Sequence, residues 1–142
     1  MFDEMGKTID AVVVATADHN HANPTATAIT LGKHVYCEKP LTHTIYESRL
    51  LTKLAKKYGV ATQMGNQGSS NAGVRQACAW AWAGEIGEVR RVDAWSARPI
   101  WPQGLDTPTD IQKVPKTLDW NLWLGHMPFR PYHSAYTPWN FR

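Results

Sequence analysis

Asp10-Ala11-Val12-Val13-Val14-Ala15 constrains this chain most, because it sets β-branched residues at successive positions with no polar alternation. A half-buried antiparallel strand would alternate, so the pattern predicts a central strand of a parallel sheet, covered on both faces. Parallel strands need crossovers, and the sequence supplies them. His21 to Leu31 is rich in Ala and Thr, carries Pro24 where a first helical turn tolerates it, and stops at Gly32. His34 to Cys37 reads as a second strand, followed by Glu38-Lys39-Pro40. Thr44-Ile45-Tyr46-Glu47 has the spacing of a capping box. It opens a helix with Leu50, Leu51, Leu54, Ala55 and Tyr58 on one face and Lys53, Lys56 and Lys57 towards its end. Val60 to Met64 is a third strand, Gly65 to Ser70 a loop, and Asn71 to Ala83 a helix ended by Gly84. This strand–helix rhythm predicts an α/β fold, an incomplete Rossmann-like, doubly wound parallel sheet.

The character changes near residue 98. Val89 to Ala97 is an extended run with a polar face, expected in an antiparallel sheet. Beyond Arg98 lie seven of the nine prolines, together with Trp101, Trp120, Trp123 and Trp139, and only Leu118 to Leu124 has a helical pattern. Such a long irregular stretch carries function or awaits a partner domain.

The 142 residues, 43% apolar and 19% charged, suit a globular chain with one core. A net charge of +3 with scattered Lys and Arg provides no basic stripe, which argues against nucleic-acid and anionic-membrane partners. Apolar runs such as Ala11 to Ala15 are far shorter than a membrane span, and Met1-Phe2-Asp3-Glu4 is not the start of a signal peptide. Two cysteines, Cys37 and Cys78, both within regular structure, form neither a disulfide framework nor a zinc site and fit a reducing, cytoplasmic compartment. His19-x-His21 lacks a third ligand, so no metal is assigned.

Ligands of open parallel sheets bind beyond the carboxyl ends of the strands. In this chain those positions are Thr16 to His21, Glu38 to Pro40 and Gly65 to Gly68. They offer a hydroxyl, a carboxylate, an ammonium and two amides around one crevice, a set that suits a nucleotide and a hydroxylated substrate. The same residues also fit a purely structural account, with Thr16 and Asn20 as helix-capping groups and Glu38-Lys39 as a solvated ion pair.

The run Val14-Ala15-Thr16-Ala17-Asp18-His19-Asn20-His21, then Gly32-Lys33-His34-Val35 and Cys37-Glu38-Lys39-Pro40-Leu41, resembles the glucose-fructose oxidoreductase and inositol dehydrogenase family, Gfo/Idh/MocA. Met64-Gly65-Asn66-Gln67, Trp101-Pro102-Gln103-Gly104 and the segment from Leu118 to Gly125 extend the resemblance along nearly the whole chain. It implies a dehydrogenase using NAD or NADP on a sugar or polyol, homo-oligomeric at full length. It also implies a dinucleotide-binding domain followed by an α/β domain built on a mostly antiparallel sheet. By resemblance, Thr16, Asp18 and His21 would line the cofactor and Glu38 would reach the nicotinamide ribose. Lys39 would face both cofactor and reacting hydroxyl as the catalytic base, on a peptide bond to Pro40 that tends to be cis. Asn66 and Gln67 would lie near the nicotinamide. Arg98, Trp101 and Arg130 are candidate substrate contacts. The family usually has proline where this chain has Ala17.

No Gly-x-Gly-x-x-Gly and no acidic residue for the adenosine ribose occur in the expected places. The chain therefore reads as an internal segment: residues 1–87 the C-terminal part of the dinucleotide-binding domain, residues 88–142 the beginning of the substrate domain. Alone it would be inactive and poorly soluble. Two other functions fit the same residues. One is a glycosidase of the same fold that uses the nicotinamide transiently, and the other is a non-catalytic sugar- or nucleotide-binding module.

Overall fold

A computed structural model describes residues 1–97, 104 and 106–137, and the chain divides between Ala79 and Trp80 into two units. The first unit begins with a short helix, α1 (Phe2–Met5), and continues as strand β1 (Ala11–Val14), helix α2 (Ala22–Thr30), strand β2 (His34–Glu38), helix α3 (Ile45–Tyr58) and strand β3 (Thr62–Gly65). The three strands are parallel in the order β1-β2-β3, with Val14 opposite Cys37 and Glu38 opposite Gly65. Sequential neighbours joined by helical crossovers place all three carboxyl ends on one edge.

One face of the sheet forms the core. Val14, Val35 and Cys37 meet Ala28 and Ile29 of α2 and Leu51 of α3, with Leu54, Ala55 and Val60 packed around them. α3 is built as its sequence requires. The Thr44 hydroxyl accepts from the Glu47 amide at 3.2 Å, while Glu47 Oε2 accepts from the Thr44 amide at 2.8 Å, closing the capping box. Gly59, at φ 65°, ends the helix in the left-handed conformation that glycine adopts without steric cost.

The place of β1 differs from the sequence expectation. Among the described residues β2 is central, β1 lies at an edge, and Val13 is 70% exposed on the face away from α2 and α3. An unbroken β-branched run reports suitability for burial on both faces. It does not say which chain segment supplies the second cover.

Helix α4 (Ala72–Ala83) runs across the division between the units and is ended by Gly84 at φ 78°. Trp80 and Trp82, which the sequence suggests as core or interface, are both exposed. The second unit contains helix α5 (Trp120–Leu124), capped by the Asp119 carboxylate, which accepts from the Leu122 amide at 2.9 Å. Trp120, Leu124 and Tyr132 form its small core. Trp120 stacks on Trp123 at 4.9 Å and donates its indole N–H to the Arg130 carbonyl at 2.7 Å, so this pair packs the loop. Residues 89–97 form no strand, and Val92 and Trp95 are exposed. A strand needs a partner for its N–H and C=O groups, and the described residues of this unit provide none. Trp139 lies outside the described residues.

Candidate functional site at the strand ends

Each strand delivers a short polar segment to the same edge of the sheet. After β1 the chain makes a 3-10 turn, Asp18–Asn20, closed by the Asn20 amide on the Ala17 carbonyl at 2.8 Å. Thr16 is exposed, and its hydroxyl donates to the Asn20 carbonyl at 2.9 Å, bracing the turn from within. Asp18 is half-buried in that turn. Thr16 thus braces the turn but caps no helix, contrary to its capping role in the structural reading of the sequence, and its oxygen can still accept from a ligand.

His21 is held by main chain. It is only 1% exposed, with Nδ1 2.6 Å from the Pro40 carbonyl oxygen and Nε2 2.9 Å from the Thr16 carbonyl oxygen. Both ring nitrogens are spent on main chain, which also removes His21 from any metal pair with His19.

At the end of β2, Glu38 is half-buried and Lys39 exposed, and the Lys39–Pro40 peptide bond is cis, as the resemblance implies. The Glu38 carboxylate lies over the backbone of Gly65. A Cβ built on Gly65 would stand 2.7 Å from Glu38 Oε2 and 2.9 Å from Cδ, closer than side chains tolerate. Glycine at 65 is what lets the carboxylate occupy the position above β3. Glu38 Oε2 also accepts a long, 3.5 Å contact from Gln67 Nε2. Asn66 and Gln67 open the 3-10 turn that follows β3. The structure therefore brings Glu38, Gly65 and Gln67 together, and ties Thr16, His21 and Pro40 together beside them. The importance of Gly65 is visible in the sequence only as smallness after a strand.

Cys37 is buried beneath this edge. Burial pushes its thiol up from its ordinary range and the Glu38 carboxylate adds to the effect, against an opposing contribution from the Thr25 hydroxyl. A thiol held neutral is a packing group, not a nucleophile. Arg130 belongs to the second unit, where its guanidinium lies 5.4 Å over the Tyr136 ring. Arg98 and Trp101 lie outside the described residues.

The strand-end residues fit the nicotinamide–ribose half of a dinucleotide. A carboxylate accepts from vicinal ribose hydroxyls, and a backbone without a side chain admits close approach of a flat ring. The glycine-rich turn that would hold the pyrophosphate is not in these 142 residues.

Known proteins resemble this part of the chain. Residues 1–66 match Gfo/Idh/MocA, an oxidoreductase family with an NAD-binding Rossmann fold. The chain is 44% identical over 52 residues to 1,5-anhydro-D-fructose reductase of Ensifer adhaerens, covering 37% of this chain and 16% of that protein. It is 34% identical over 83 residues to 2,7-anhydro-N-acetylneuraminate hydratase of Escherichia coli, covering 58% and 22%. Among solved structures, an inositol dehydrogenase homolog from Azotobacter vinelandii, complexed with NADH and myo-inositol, superposes with a TM-score of 0.60 at 33% identity. That match covers 63% of this chain and 24% of the other. The chain thus spans less than a quarter of the length of each of these three relatives. The matched residues 1–66 carry the three parallel strands and their polar ends, and over them the chain is similar to the Gfo/Idh/MocA oxidoreductase family.

Proposed function

We propose that this chain supplies the nicotinamide side of the site in an NAD- or NADP-dependent oxidoreductase that transfers a hydride between the cofactor and a hydroxyl-bearing carbon of a sugar or polyol. The observation that carries the reading is the Glu38 carboxylate seated over Gly65, with the exposed Lys39 ammonium next in sequence on the same strand-end loop. When bound, the nicotinamide provides the hydride acceptor. The chain's residues do the rest. Glu38 holds ribose hydroxyls, and Thr16 and Asp18 border the cofactor after β1. His21 fixes the loops around it, and Asn66 and Gln67 border the ring after β3. Lys39, in its neutral form, takes the proton from the substrate hydroxyl as the hydride leaves the carbon. Such a transfer requires a base held within hydrogen-bond reach of that hydroxyl. Arg98, Trp101 and Arg130 are assigned to the substrate, and residues 88–142 to the start of the substrate domain of a homo-oligomer. The 142-residue chain by itself is inactive in this reading.

The test is reduced-nicotinamide formation from NAD or NADP with a panel of inositols and hexoses, using protein expressed from this reading frame with its flanking coding sequence. Replacing Lys39 by Ala is expected to lower kcat by about 10²-fold or more, the usual weight of a positioned general base. Cofactor binding with no turnover on any polyol would sink the proposal. The similarity to an anhydro-sugar hydratase favours one second reading, in which oxidation and re-reduction flank an elimination. It predicts substrate conversion that requires NAD but leaves no net NADH.

A further inference from the structure

His21 stands where two strand-end loops meet, and its surroundings define its work. It immediately precedes α2, is 1% exposed, and turns each ring nitrogen towards a different main-chain oxygen, that of Pro40 at 2.6 Å and that of Thr16 at 2.9 Å. A carbonyl oxygen only accepts, so the ring holds each of these oxygens through an N–H, and which nitrogen carries it at a given moment depends on the tautomer.

The two oxygens belong to different parts of the edge. Thr16 lies two residues past β1, and Pro40 two residues past β2, directly after Lys39. The β1–β2 register ends at Val14 and Cys37. Beyond it, the imidazole ring links the two loops.

We propose that His21 is a positioning residue: its buried ring, set between the Thr16 and Pro40 carbonyls, fixes the spacing of the first two strand-end loops and so where Lys39 stands relative to Thr16 and Asp18. It makes no ligand contact of its own. The functional part of this inference rests on the reading of Lys39 above, and the test has one arm that does not.

The first arm is the ¹⁵N spectrum of protein labelled at histidine, with the His21 signals identified by their loss in His21→Gln. A ring N–H slow to exchange with solvent is expected, as its burial between two carbonyls requires. A ring N–H that exchanges as fast as that of an exposed histidine overturns the clamp. The second arm is kinetic. His21→Phe keeps an aromatic ring without donors and is expected to lower kcat by about 10²-fold, as a displacement near 1 Å does. KM for the cofactor should move far less, and His21→Gln, with a donor for one carbonyl, should recover part of the loss. Wild-type kcat in His21→Phe overturns the positioning role. If His21→Phe fails to fold, the His21→Gln kinetics and the wild-type spectrum decide. A protected ring N–H in a protein without turnover supports the clamp and removes the oxidoreductase reading instead.

Discussion

Glu38 shows what a single residue contributes at this edge and how little of it is written locally. Its carboxylate lies where a side chain at position 65 would have to be, so the pair forms only because residue 65 is glycine. Gly65→Ala is therefore expected to push the carboxylate off β3 and raise the cofactor Kd by about tenfold, the loss of one charge-assisted contact. Titration calorimetry of Gly65→Ala beside Glu38→Gln checks this, since the double variant should be no worse than Glu38→Gln alone. Cys37 gives a prediction with a sign. Its thiol is raised above 9.0 in the folded chain, so both states are protonated below that pH and the full stability is present. As pH rises past 9.0 the unfolded thiol ionises first, and stability falls until the folded thiol ionises too. Denaturation midpoints measured from neutral to alkaline pH should fall more steeply in the wild type than in Cys37→Ala, and equal slopes would contradict the assignment. Lys39 is legible in the sequence because Glu-Lys-Pro follows a strand at a recognisable distance from the Thr16-to-His21 turn. The burial of His21 is not, because its partner Pro40 comes 19 residues later and from another loop.

Elements whose determinants are local are the ones the sequence predicts well. The α3 helix carries its start signal, its apolar stripe and its stop within sixteen residues, Thr44 to Gly59, and it forms over Ile45–Tyr58. Thr44→Ala removes the acceptor for the Glu47 amide and is expected to cost about 1 kcal/mol, as N-cap truncations do. Urea denaturation read by far-ultraviolet circular dichroism measures it. The midpoint should shift with the slope unchanged. Residues 89–97 are the counter-example. Val89, Val92 and Trp95 have the composition of a strand, yet a strand is a property of two chain segments, and no ladder forms over this run among the described residues. Trp80 and Trp82 mislead for the same reason. Large aromatic side chains on a helix signal burial, but whether burial happens depends on what packs against α4.

At the scale of the whole molecule, the order of strands and helices follows from the sequence, whereas the layers do not. Two crossovers place α2 and α3 on one face of the sheet, and Val14, Val35 and Cys37 fill it. The β-branched run of β1 is built for cover on both faces, but Val13 is 70% exposed and the strand lies at the edge of the sheet. An apolar edge strand with an open face is a template for pairing with another copy. The 142-residue chain is therefore expected to self-associate as its concentration rises, through β1. Val13→Lys places a charge where the side chain already meets solvent, so it should change the unfolding free energy by no more than about 0.5 kcal/mol while suppressing association. Light scattering over a concentration series of both proteins makes the comparison. Equal scattering at equal stability would mean that association runs through another surface, for which exposed Trp80 and Trp82 on α4 are the next residues to change.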